Sequence, residues 1–122
     1  MSKKILVVED TEDNRQILRD LLGMAGYEMV EARDGAEGVA KATEHRPDLI
    51  LMDIQMPVMD GYEATRRIRA NPELKSIPIV AVTSYALSGD EEKTRAAGCD
   101  GYIAKPYSPR QMLAKVREIL GA

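Results

Sequence analysis

The apolar positions of the chain change period again and again, and that alternation predicts its architecture. Ile5 to Val8, Leu49 to Met52 and Ile77 to Val82 are short, largely aliphatic or β-branched runs, each closed by a polar residue. Runs of this length and make-up suit strands buried on both faces of a parallel sheet. Glu28 to Ala32 and Gly101 to Ala104 read as two weaker strands of the same sheet. The stretches between are amphipathic at helical spacing: Ile17, Leu18, Leu21 and Leu22 share one face, as do Met112, Leu113, Val116, Ile119 and Leu120.

Local punctuation agrees with these elements. Gly26 and Gly98 stand where left-handed C-terminal caps end the first and fourth helices. Ser88 with Glu91 has capping-box spacing, and Ser108, Pro109 and Gln111 combine an N-cap, a first-turn proline and a third-position glutamine. The third helix, near 62 to 70, must stop before Asn71-Pro72, and Arg46-Pro47 parts the second helix from the third strand. Strand and helix alternating five times predict right-handed crossovers and a doubly wound α/β domain, a five-stranded parallel sheet between two layers holding five helices. Such sheets bind ligands at the carboxyl ends of their strands.

Composition narrows what those ends can do. With 122 residues the chain has the length of one domain, and 44% apolar with 30% charged residues gives it a real core rather than a disordered tract. There is no Phe or Trp and there are only five Tyr, so the core is aliphatic and the composition argues against a base-stacking platform. A net charge of −3 argues against a phosphate-backbone footprint, so no nucleic-acid partner is expected. No run approaches the roughly 20 apolar residues that span a bilayer, and the start of the chain meets charge too early for a signal peptide. The single cysteine, Cys99, fits a reducing compartment. The expectation is a cytoplasmic protein with no membrane partner.

The residues that close the strands are Glu9 and Asp10 after the first, Asp53 after the third, Thr83 after the fourth and Lys105 after the fifth. Parallel strands bring all of them to one edge. Three carboxylates there repel, since two unit charges 4 Å apart interact by about 4 kcal/mol at an effective dielectric near 20. Lys105 offsets part of that, and a hard divalent cation bound by oxygen offsets the rest, Mg²⁺ being favoured because it takes few protein ligands and keeps several waters. A nucleophilic aspartate, a metal and a lysine at the ends of separate strands suit phosphoryl transfer through an aspartyl phosphate. The blander alternative is a solvated acidic rim with a helix N-cap at Asp10 or Thr11.

Glu9-Asp10, the stretch Leu51-Met52-Asp53-Ile54-Gln55-Met56-Pro57, Asp60-Gly61, Ala81-Val82-Thr83 and Lys105-Pro106 together resemble a response regulator receiver domain over essentially the whole chain. Ile77 to Thr83, Gly89 to Glu92, Gly98-Cys99 and Tyr102-Ile103 are most similar to receivers of the free-standing DivK type. The resemblance implies the flavodoxin-like, CheY-like (βα)5 three-layer sandwich. It implies that Asp53 takes a phosphoryl group from a histidine kinase or a histidine phosphotransfer protein, with Glu9, Asp10, Asp53 and the main-chain carbonyl of Gln55 holding Mg²⁺. Thr83 then donates to the phosphoryl oxygens, Lys105 pairs with them, and Tyr102 is the switch aromatic. A cis peptide is implied before Pro106. The downstream protein target is then expected to meet the face of the fourth helix, fifth strand and fifth helix, roughly Ser88 to Leu120. The expectation is a single receiver domain over residues 1–122, with no output domain.

Other features take ordinary explanations. His45 ends a helix, where a cation suits the dipole. Cys99 is a small buried hydrophobe, Met52, Met56 and Met59 fill gaps around Asp53, and Arg66, Arg67 and Arg69 form a solvated helix face. No glycine-rich segment follows the first strand, which disfavours a nucleotide site. The competing functions are a Mg²⁺-dependent phosphatase or phosphotransferase with an aspartate nucleophile, and a flavodoxin-like electron carrier. The enzyme lacks a general acid where Gln55 stands, and the acidic strand edge repels a flavin phosphate.

Overall fold

Alternate side chains of a strand point to opposite faces. The first strand, β1 (Lys4–Val8), accordingly sends Leu6 and Val8 to one side of the sheet and Ile5 and Val7 to the other. In this computed structural model, which describes residues 2–56, 59–83 and 90–121, nine further elements follow: α1 (Glu12–Met24), β2 (Glu28–Ala32), α2 (Gly35–His45), β3 (Leu49–Asp53), α3 (Gly61–Ala70), β4 (Ile79–Thr83), α4 (Asp90–Ala97), β5 (Gly101–Ala104) and α5 (Pro109–Leu120). All strand pairs are parallel, in the order β2-β1-β3-β4-β5. Leu6, Val8, Ile50, Met52, Ile79 and Ala81 pack with Ala42 of α2 and Ala64 and Ile68 of α3. On the opposite face Ile5, Val7, Leu49, Leu51, Val80 and Val82 pack with Leu18 and Leu22 of α1 and Met112 and Val116 of α5. The expected doubly wound, three-layer domain is the one found.

Most boundaries stand where the punctuation put them. Gly26 and Gly98 adopt φ of 89° and 110°, and α5 opens with the full Ser108–Gln111 capping box and Pro109 in its first turn. The cap expected at Ser88 lies outside the described residues. β4 begins at Ile79 rather than Ile77, because the Ile77 N–H closes a turn on the Leu74 carbonyl at 3.1 Å and Pro78 has no N–H to give the ladder.

Two residues depart from the expected pattern. Ile17 is 55% exposed, so the buried stripe of α1 is Leu18 and Leu22 with Leu21 at its margin. Helical residues one position apart point about 100° apart, which leaves Ile17 outside the stripe. Arg69 is no solvated residue of a basic face. Its guanidinium donates to the carbonyls of Gly98 (2.8 Å), Lys75 (2.8 Å) and Ile77 (2.6 Å) and pairs with Asp100 at 2.6 Å, tying the end of α3 to the entries of β4 and β5. Arg66 and Arg67 do face solvent.

Crossing to the sheet's other side changes the winding between β1 and β3, so the carboxyl ends of those neighbours flank a crevice. The start of α3 lies directly over it. The Gly61 N–H donates to the Ile54 carbonyl at 3.1 Å, and a Cβ on Gly61 would stand 2.4 Å from the Asp53 carbonyl oxygen and 2.8 Å from Ile54 Cα. Both are main-chain atoms that cannot swing aside. Gly61→Ala is therefore expected to lower stability by about 3 kcal/mol, at the upper end for overpacking. Urea denaturation checks this, and an unshifted midpoint would mean the turn yields at no cost.

Candidate functional site

Each candidate residue is delivered by a strand end. β1 and β3 pair in register up to Val8 and Met52, so Glu9 and Asp53, next along each strand, emerge side by side. Asp53 pairs with Val82 and Thr83 with Ala104, and the Lys105 N–H donates to the Thr83 carbonyl at 2.7 Å, which fixes Lys105 beside the end of β4. The Lys105–Pro106 peptide is cis, as expected.

The side chains converge. One carboxylate oxygen from each of Glu9, Asp10 and Asp53 lies within 4.8 Å of the others. Lys105 Nζ stands 3.3 Å from Glu9 Oε1 and 3.4 Å from Asp53 Oδ2. Glu9 and Asp53 are buried, at 4% and 3% exposure, whereas Asp10 is exposed. Glu9 is held on every side: its N–H donates to Ala32 O, its carboxylate accepts from the Thr11 N–H (2.9 Å) and Asn14 Nδ2 (3.3 Å), and its carbonyl accepts from Arg15 Nη1 (2.7 Å). The hydroxyl of Thr11 does not cap α1, although Thr11 occupies the N-cap position. Glu9 takes over part of that task, so the N-cap explanation of this cluster does not account for it.

Ionisation follows from this packing. Burial pushes Asp53 up to about 7, the Glu9 charge adds to it, and Lys105 with the Gln55 N–H only partly offsets them. Asp10 is raised by burial and by Glu9. Burial also acts to raise Glu9, but the Thr11 N–H, its contact with Asp10 and the Lys105 charge outweigh it and hold Glu9 below its ordinary value. Burial opposes the Lys105 charge, yet Asp53 and Glu9 keep its pKa above the usual lysine range. Three carboxylates facing one ammonium therefore hold excess negative charge that they relieve by sharing a proton or by taking a cation. The donor set, all oxygen and partly open to solvent at Asp10, fits a hard divalent ion such as Mg²⁺.

Thr83 is fully buried, and its Oγ1 accepts from Gln55 Nε2 at 2.8 Å. The Gln55 N–H donates to Asp53 Oδ1 at 3.1 Å, so one residue touches both the acidic cluster and the threonine. Tyr102 is half-buried on β5, opposite Ala81, beside a cleft of about 380 Å³ shared with Thr94, Arg95 and Lys115. Tyr85, two residues beyond Thr83 in the sequence, lies outside the described residues. His45 stands at the far end of α2, and Cys99 is buried with its thiol pushed up, which removes both from the chemistry. Sequence reasoning missed Asn14 and Arg15 as supports of Glu9, and the contact between Gln55 and Thr83. The only signal for the first pair was their place one turn into the helix that follows the acidic residues.

Comparison with known proteins gives a consistent result. Residues 5–117 match the model of the family described as the response regulator receiver domain. The polar-differentiation response regulator DivK of Brucella anthropi is 46% identical over 121 residues, covering 99% of this chain and 98% of its own. The chemotaxis protein CheY4 of Vibrio cholerae superposes with a TM-score of 0.93 at 34% identity, over 98% of this chain and 100% of that one. The receiver domain of a sensor histidine kinase from Pseudomonas aeruginosa, solved with magnesium coordinated in its active-site cleft, gives 0.92 at 38% identity over the whole of both chains.

Proposed function

The chain belongs to the response regulator receiver family of two-component signalling switches, and from that premise we propose that Asp53 is its phosphoryl acceptor. The observation that carries this is the placement of Asp53: buried at the end of β3, 3.4 Å from Lys105 Nζ, and beside the carboxylates of Glu9 and Asp10. An Asp53 oxygen attacks phosphorus as the bond to the donor imidazole nitrogen breaks, and that nitrogen leaves with the electron pair. Glu9, Asp10, Asp53 and the Gln55 main-chain carbonyl would hold Mg²⁺, which would supply positive charge against the phosphoryl oxygens. Lys105 pairs with one of those oxygens, and Thr83 gives up the Gln55 amide to donate to another. Hydrolysis of the acyl phosphate at the same residues resets the switch, so the protein catalyses only its own phosphorylation and dephosphorylation.

The donor is a histidine kinase or a histidine phosphotransfer protein. Its approach is served by the groove of about 590 Å³ lined by Asn14, Ile17, Lys105, Pro106 and Tyr107, which opens beside the site and presents Ile17 to solvent. A Mg²⁺-dependent phosphatase is the weaker reading, because Gln55 supplies no proton to a leaving group and its amide is engaged with Thr83. Among the described residues no helix is long and apolar enough to cross a membrane.

Output follows from the movement of Thr83. Its departure from Gln55 vacates space beside β4, Tyr102 turns inward, and the face made by α4, β5 and α5 changes for a downstream protein. Amide chemical shifts with Mg²⁺ and beryllofluoride test this sequence of events. Shifts are expected around Asp53 and also along Gly101 to Ala104 and α5. Changes confined to Asp10, Asp53 and Lys105 would leave phosphoryl handling intact and remove the conformational output.

A further inference from the structure

We infer that Arg15 is a positioning residue for the metal site, acting through the peptide plane that joins Glu9 to Asp10. This rests on the reading that those two carboxylates hold Mg²⁺. Arg15 is a cation buried to 7% exposure, and its Nη1 donates 2.7 Å to the main-chain carbonyl of Glu9 in a buried contact. That carbonyl belongs to the Glu9–Asp10 peptide, whose six atoms are coplanar. Holding its oxygen therefore sets where the Asp10 N and Cα lie, and with them the direction in which the exposed Asp10 carboxylate leaves the chain.

Asp10 needs this more than Glu9 does. The Glu9 carboxylate has its own anchors in the Thr11 N–H, Asn14 and Lys105. The guanidinium is itself fixed: Nη2 donates to Glu12 Oε2 at 2.6 Å, and Nε lies 3.4 Å from Glu31 Oε1. Arg19 braces the same two glutamates, at 2.6 Å to Glu31 and 3.3 Å to Glu12, without touching Glu9. The charge–charge network thus runs from β2 through Arg15 to the peptide between the two ligands. Outer-shell partners that fix a ligand's direction commonly change metal affinity by about 10- to 100-fold.

The two arginines make the test. Mg²⁺ affinity is measured by titration calorimetry on the whole chain, alongside the thermal midpoint of each variant. Arg15→Met is expected to weaken Mg²⁺ by about tenfold, and Arg15→Lys, which keeps the charge but not the fork, by about threefold. Arg19→Met should lower the midpoint yet leave the affinity within about twofold. In an Asp10→Asn background Arg15→Met should cost less than about twofold, because the ligand it orients is gone. A folded Arg15→Met or Arg15→Lys with the parent's affinity overturns the inference, as does an Arg19→Met loss equal to that of Arg15→Met. Should Arg15→Met fail to fold, Arg15→Lys decides. A parent that binds no Mg²⁺ removes the metal reading itself, and this inference with it.

Discussion

Incubated with acetyl phosphate and Mg²⁺, the protein is expected to gain one phosphoryl group per chain, and Asp53→Asn to gain none. Asp53 and Glu9 are both buried against Lys105 and each accepts a neighbouring N–H on its other oxygen, but of these two only Asp53 has its pKa raised, to about 7. Glu9 also touches Lys105, but its carboxylate accepts from the Thr11 N–H and Asn14 and is held below its ordinary pKa, which makes it the weaker nucleophile. Asp10 is exposed, so its carboxylate stays hydrated where that of Asp53 is buried. Lys105→Ala should retain the acceptor and lose a charge aimed at the phosphoryl oxygens, slowing labelling by about a hundredfold. Chelating the metal should abolish labelling in every variant. Intact mass reads each result, and a label that persists in Asp53→Asn would transfer the acceptor to another carboxylate.

Much of this was legible in the sequence because strand runs and strand ends are local features. Ile5 to Val8 and Leu49 to Met52 announce buried parallel strands by composition alone, and the polar residue closing each run lies on the ligand edge once the order of elements is known. What composition cannot carry is the approach of two segments remote in the chain. Gly61 reads as an isolated glycine until the α3 N-terminus is seen against the Asp53 carbonyl. Arg69 reads as one of three surface arginines until β5 and the turn before β4 close round it. Gln55 reads as a main-chain ligand, and the bond of its side chain to Thr83 exists only because β3 and β4 are neighbours. Ile17 reads as part of the apolar face because it stands one turn from Leu21, and only the seat of α1 on the sheet decides that the face centres on Leu18 and Leu22, about 100° away from Ile17.

Without metal, stability is expected to fall as pH rises from about 4.5 to 7.5, the reverse of what paired carboxylates usually produce. Asp53 has its pKa raised in the fold from 3.8 to about 7. Its protonated form is therefore favoured by folding: the contribution is fully present below the unfolded value of 3.8 and is lost as pH rises through about 7. At about 1.4 kcal/mol per tenfold, that interval sets a ceiling of about 4 kcal/mol. Glu9 acts in the opposite sense, since its lowered pKa gives stability that is present above its unfolded value of 4.5 and lost as pH falls, so the net effect is smaller in the acid part of the window. Lys105, raised, holds its contribution until well above this range. A net loss of about 2 kcal/mol corresponds to roughly 8 °C in the thermal midpoint of a domain this size. Asp53→Asn should remove most of the fall, the remainder coming from the raised Asp10, and melt higher than the parent at pH 7.5 without metal, because it removes a buried charge facing Glu9. Saturating Mg²⁺ should raise the parent's midpoint at pH 7.5 and leave Asp53→Asn less affected. A metal-free parent whose midpoint climbs steadily across the window, or an Asp53→Asn protein that keeps the same slope, would show that Asp53 enters the fold already ionised and that Lys105 alone balances the cluster.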